Sequence, residues 1–171
     1  MMGDARAMQE RQPRQLSALE QLNKHNRLVL LGDPGSGKST FVKFVAMCLC
    51  GELIADKQIN VELLTRPLPQ GDERPRQKDE KPQPQAWDHP ALLPVLIILR
   101  DFAATSLPAI GKKATAQHLW AHIVAELKTA TFEEYAAELQ NELREQGGLV
   151  LLDGLDEVPE ADQRRVQIKD A

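Results

Sequence analysis

The chain has 171 residues, of which 42% are hydrophobic and only 4% aromatic, and its formal net charge is −4. That length suffices for one domain with a buried core. The negative balance argues against nonspecific binding to nucleic acid, and so few aromatics leave no platform for stacked bases.

The first ten residues are polar and contain no signal-peptide core. The longest apolar stretch, 91–99, is too short to cross a bilayer and contains Pro94. No membrane partner is expected, and the cytoplasm is the default location. Leu16, Leu19 and Leu22 have helical spacing, so an N-terminal helical segment is predicted within residues 1–26. Residues 27–31, Arg-Leu-Val-Leu-Leu, read as a short buried strand. A helix is predicted over 39–50, closed by Gly51 at its C′ position.

Residues 66–90 hold six prolines, much charge and almost no apolar side chains. They read as a flexible surface insertion. A second buried strand spans 92–99 and ends at Arg100-Asp101. Amphipathic helices are predicted over 115–128 and 132–146, the second stopped by Gly147-Gly148. The run Leu149-Val150-Leu151-Leu152 is too short and too β-branched for a helix, and reads as a strand of a parallel sheet. A last helix begins near Pro159. There is no internal repeat. Strands alternating with helices give an α/β fold with a parallel sheet flanked by helices, here over residues 27–171.

Two motifs carry chemistry. Gly32-Asp33-Pro34-Gly35-Ser36-Gly37-Lys38-Ser39 matches the phosphate-binding loop G-x-x-x-x-G-K-[ST] in full, between a predicted strand and a predicted helix. Its glycines let backbone N–H groups point inward at phosphate oxygens, and the helix N-terminus adds its positive dipole end. Lys38 should reach the β- and γ-phosphates. Ser39 should bind Mg²⁺, and Thr40 continues the loop into the helix. The second motif is Asp153-Gly154-Leu155-Asp156-Glu157. Asp153 ends a strand, where α/β folds place ligands, and would hold Mg²⁺ directly or through water. Together the motifs indicate a P-loop NTPase taking ATP, or GTP, with Mg²⁺.

In many P-loop ATPases a Glu follows the metal-side Asp at once. Here Gly154 follows, and the pair Asp156-Glu157 comes three and four positions on. In this the chain resembles the NACHT family of signalling NTPases. The flanking text is also similar to bacterial NACHT proteins: Arg27-Leu28-Val29-Leu30-Leu31-Gly32-Asp33-Pro34-Gly35, Leu93-Pro94-Val95-Leu96-Ile97-Ile98-Leu99-Arg100-Asp101, and Gly147-Gly148-Leu149. The resemblance runs from about Leu16 to the end.

It implies a nucleotide switch: exchange or slow hydrolysis drives self-association of the full-length protein into a signalling oligomer, often in defence. On the phosphoryl-transfer template, Asp156 or Glu157 would orient the attacking water. The alternative role for that pair is N-capping of the next helix. The resemblance also implies a strand lying between the phosphate-loop strand and the acidic strand that comes later in sequence. The sheet formed by these residues is therefore expected to be incomplete, and the chain to be the N-terminal part of such a domain. Two other functions compete with the switch. A motor or transporter ATPase lacks support, since no Leu-Ser-Gly-Gly-Gln signature occurs. A non-catalytic fragment acting through protein contacts would bind no nucleotide.

Weaker signals point elsewhere. Cys48 and Cys50 are two apart on a helix, cannot bridge there, and read as buried thiols. His118 and His122 share a helix face with Glu126, but without His-Glu-x-x-His they read as a solvated face. Asn23-Lys24-His25-Asn26 precedes the phosphate loop and ends in Asn, unlike the guanine-reading motif. Arg100-Asp101 is a position the resemblance marks, and equally a strand-end ion pair.

Overall fold

A computed structural model describes residues 17–68, 83–158 and 161–170. The Leu16 end of the first predicted helix, most of the insertion at 66–90 and the predicted helix start at Pro159 fall outside those residues.

The first helix, α1 (Ala18–Lys24), starts where Ser17 accepts a hydrogen bond from the Leu19 amide at 3.2 Å, satisfying one of the free N–H groups at the helix start. Its Asn23 holds the far side of the insertion. The Asp88 amide donates to Asn23 Oδ1 at 2.7 Å, and Asn23 Nδ2 donates to Asp88 Oδ2 at 2.8 Å. Ser17 also pairs with Gln85. These contacts lay Trp87 over the first core.

Helix α2 (Lys38–Leu53) runs three residues past the predicted stop. Gly51 lies inside it and is buried, so it is not the C′ residue expected from sequence. The reason for glycine is close packing: a β-carbon there would collide with the Ile59 carbonyl oxygen. That carbonyl belongs to a tight connection into α3 (Val61–Leu64). Asp56 builds the connection by accepting from the Gln58 and Ile59 amides at 2.7 and 2.8 Å. Those amide bonds, Ile59 first, hold its carboxyl below the ordinary 3.8.

Strand β1 (Leu93–Ile98) passes directly into helix α4 (Leu99–Thr105). Helix α5 (Ala116–Thr129) is capped by Thr115, whose amide in turn donates to His118 Nδ1 at 3.1 Å. The predicted helix 132–146 splits into a 3₁₀ turn, Glu133–Tyr135, and helix α6 (Ala136–Glu145). Strand β2 (Gly148–Asp153) and helix α7 (Ala161–Asp170) complete the described chain.

β1 and β2 pair in parallel, from Leu93 opposite Gly148 to Ile98 opposite Asp153. Side chains alternate across the pair. Leu151 and Leu149 face a core made with Leu19, Val45, Cys48, Leu49 and Leu64. Ile97 and Val95 face a second core with Leu99, Phe102, Ala103 and Val158, closed by Leu119, Ile123 and Ile168. Helices thus lie on both faces of a small parallel sheet, an α/β arrangement.

The predicted strand 27–31 is not a strand. Leu28 and Leu30 are half-buried while Val29 and Leu31 are 73% and 91% exposed, so the two-residue alternation is present. What it lacks is a ladder: among the described residues only β1 and β2 pair. A lone segment without a paired neighbour cannot form the ladder that defines a strand.

Candidate functional site

The loop 32–37 leads into α2 through Gly37, at φ 87° and ψ 7°. A β-carbon is strained in that left-handed conformation, so this position needs glycine. No side chain caps the helix start. The first-turn N–H groups, those of Lys38, Ser39 and Thr40 among them, therefore have no capping side chain, and the positive end of the helix dipole lies behind them. Gly32, Asp33, Pro34, Gly35 and Ser36 form the exposed rim, closed by a turn in which the Ser36 amide donates to the Asp33 carbonyl at 3.1 Å.

Lys38 folds back over its own loop. Its ammonium donates to the Gly32 and Asp33 carbonyls at 2.8 and 3.0 Å, with Ser36 Oγ at 3.5 Å. Neutral carbonyls are weak partners for an ammonium, and a phosphate oxygen would compete for it strongly.

The two motifs meet at Ser39 and Asp153. The Ser39 hydroxyl donates to Asp153 Oδ1 at 2.6 Å, across 114 residues of sequence. Asp153 is only 8% exposed. A buried carboxylate needs partners, and β2 delivers this one to the first turn of α2.

Beyond Asp153 the backbone turns through Gly154, at φ 80°, into a 3₁₀ turn, Leu155–Glu157. The Glu157 amide donates to the Gly154 carbonyl at 3.1 Å. Leu155 and buried Val158 pack into the second core and fix the turn. Asp156 is exposed and has no hydrogen-bond partner among the described residues. Glu157 is held by Arg100, whose Nη1 lies 3.2 Å from Glu157 Oε2.

No family model, curated protein or solved structure matches this chain. The chemistry rests on the side chains alone. Ser39 and Asp153 offer a hydroxyl and a carboxylate, hard oxygen donors of the kind Mg²⁺ takes. Among the described residues no three His, Cys, Asp or Glu side chains gather to hold a metal. Two protein oxygens are nonetheless a normal share for Mg²⁺, which keeps waters and phosphate oxygens as its other ligands. The donor set therefore fits that ion.

Two readings of these side chains need correction. Cys50 is exposed; only Cys48 is buried, and burial pushes its thiol up. His122 is not on a solvated face. It is 3% exposed, its Nδ1 is 3.2 Å from Ser106 Oγ, and its ring packs on Phe102. Its neighbour His118 serves the Thr115 cap. The strand-end ion pair of Arg100 with Asp101 is present at 3.3 Å, and Arg100 has a further partner that was missed, Glu157 on the acidic motif 57 residues away. The only sequence signal for it was a charged pair at the end of a strand.

Proposed function

We propose that this chain is the nucleotide-binding part of a NACHT-like P-loop NTPase, which binds ATP with Mg²⁺ and hydrolyses it slowly as a switch in a signalling or defence oligomer. The observation that carries the reading is the 2.6 Å hydrogen bond from Ser39 to Asp153. That bond brings together a hydroxyl and a carboxylate from two motifs 114 residues apart, the two oxygens this reading assigns to Mg²⁺.

The loop residues from Gly32 to Thr40 would hold the phosphates. Backbone N–H groups at the start of α2 have no capping side chain, and Lys38 exchanges its loop carbonyls for phosphate oxygens. Ser39 and Asp153 would hold Mg²⁺, which when bound neutralises charge on the terminal phosphates. Glu157, with Asp156 beside it, would orient the attacking water. The small-residue spacing between Asp153 and that pair is what favours a NACHT-like switch over a motor.

Calorimetric titration of ATP with Mg²⁺ tests the reading. The protein should bind, and Lys38→Ala should abolish binding, because charge-assisted contacts to phosphate are among the strongest available. A mutant that binds as tightly as the parent removes Lys38 from the site. A parent that binds no nucleotide leaves the chain as a non-catalytic interaction module.

A further inference from the structure

Arg100 follows β1 by two residues, and the last β1 residue, Ile98, pairs with Asp153. The guanidinium therefore stands at the same end of the sheet as the Ser39–Asp153 contact. It is shared between two carboxylates, through Nε to Asp101 Oδ1 at 3.3 Å and through Nη1 to Glu157 Oε2 at 3.2 Å. All three side chains are about half exposed, at 56%, 51% and 55%. On the other side, Glu157 folds back over Gly154: a β-carbon at Gly154 would lie 3.6 Å from Glu157 Cδ. The carboxylate is thus placed by one ionic contact and by the turn beneath it.

We infer that Arg100 is a positioning residue that latches Glu157 in a resting orientation and slows hydrolysis until the pair opens. The inference rests on the hydrolysis reading above. The guanidinium occupies one acceptor site on Glu157 Oε2 and so fixes the direction in which the carboxylate's remaining sites point. The pair is single-contact and wet, so it opens easily and restrains by a small factor. The latch therefore acts on turnover and not on ATP affinity. An Arg that served only to tie β1 to the acidic turn would show no such link to turnover.

Single-turnover hydrolysis, run beside ATP titration, distinguishes these cases for Arg100→Ala, Arg100→Lys, Glu157→Gln and the double variant. Arg100→Ala should raise turnover about two- to five-fold, the range one half-exposed ion pair can impose. Its ATP affinity and melting temperature should stay near those of the parent. Arg100→Lys should remain close to the parent, because the contact to Glu157 is not bidentate and an ammonium can replace it. In the Glu157→Gln background, Arg100→Ala should change nothing further. Lower or unchanged turnover in Arg100→Ala overturns the latch, as does an added effect in the double variant. If the parent binds and hydrolyses ATP, such a result removes the latch alone. If the parent does neither, the hydrolysis reading falls and takes the latch with it.

Discussion

Asp153 and Glu157 are four residues apart, yet the structure gives them different surroundings. Asp153 is buried and bonded to the first turn of α2; Glu157 is half exposed and held by an arginine. Different surroundings predict different failures. Asp153→Asn removes the charge that faces Ser39 and any cation there. It should weaken Mg²⁺-dependent ATP binding by about ten- to a hundred-fold, the scale of a hydrogen bond to a charged group. Glu157→Gln keeps shape and loses only the charge to which the proposed function assigns the orienting of water. It should leave binding within a few-fold and lower hydrolysis by on the order of a hundred-fold, because such a group acts in the transition state. Titration and single-turnover rates on both variants check this. Equal loss of binding in both would mean the two carboxylates share the cation. No loss of turnover in Glu157→Gln together with loss in Asp156→Asn would reverse the roles within the pair.

At the scale of elements, the joint between α2 and α3 depends on atoms far closer than sequence spacing reveals. Gly51 lets the Ile59 carbonyl rest against the helix, Asp56 holds the Gln58 and Ile59 amides, and Glu52 Oε2 accepts from the Val61 amide at 3.0 Å. Gly51→Ala should be destabilising even though alanine is the better helix former. Helix propensity gains roughly 1 kcal/mol, but the obstructing atom is backbone and must move, which costs about 1–3 kcal/mol or more in a packed site. The net is a loss, expected to lower the melting temperature by about 2–4 °C per kcal/mol for a chain of this size. Calorimetry that showed Gly51→Ala equal to or above the parent would mean that α3 has room to retreat.

The same joint shows what sequence could and could not reveal. Both strands that pair and α5 were legible from local apolar period and from caps, signals that reside within a few residues. The turn into α2 and the strand end at Asp153 were legible because a left-handed glycine and an apolar run constrain residue type within a few positions. Gly51 was misread because a glycine near a helix end looks alike whether it ends the helix or admits a neighbour. His122 was misread because its polar partners, Ser106 and Thr105, come from another helix end. Helix α4 went unread because it begins at the last apolar residue of a strand run, with no capping side chain to mark it.

At the scale of the whole molecule, the sheet is small for the apolar surface it carries. Val150 and Leu152 share a face with buried Ile97, yet they are 46% and 44% exposed, and Val29 and Leu31 are more exposed still. Two parallel strands seldom stand alone, since each strand of such a sheet is normally covered on both faces and paired on both edges. The described part of the chain therefore presents an apolar face on β2 and exposed apolar side chains at Val29 and Leu31 that other chains can meet. The 171-residue chain should self-associate through these surfaces as its concentration rises. Val150→Lys with Leu152→Lys should suppress that association, because charges on the exposed face are costly to bring together and do not enter either core. Both positions lose little on folding, so the melting temperature should fall by only a few degrees. Sedimentation velocity across a concentration series gives the answer. A parent that stays monomeric throughout would mean that this face is covered within the protein itself. A double variant that associates as the parent does would place the contact elsewhere, with Val29 and Leu31 the next positions to charge.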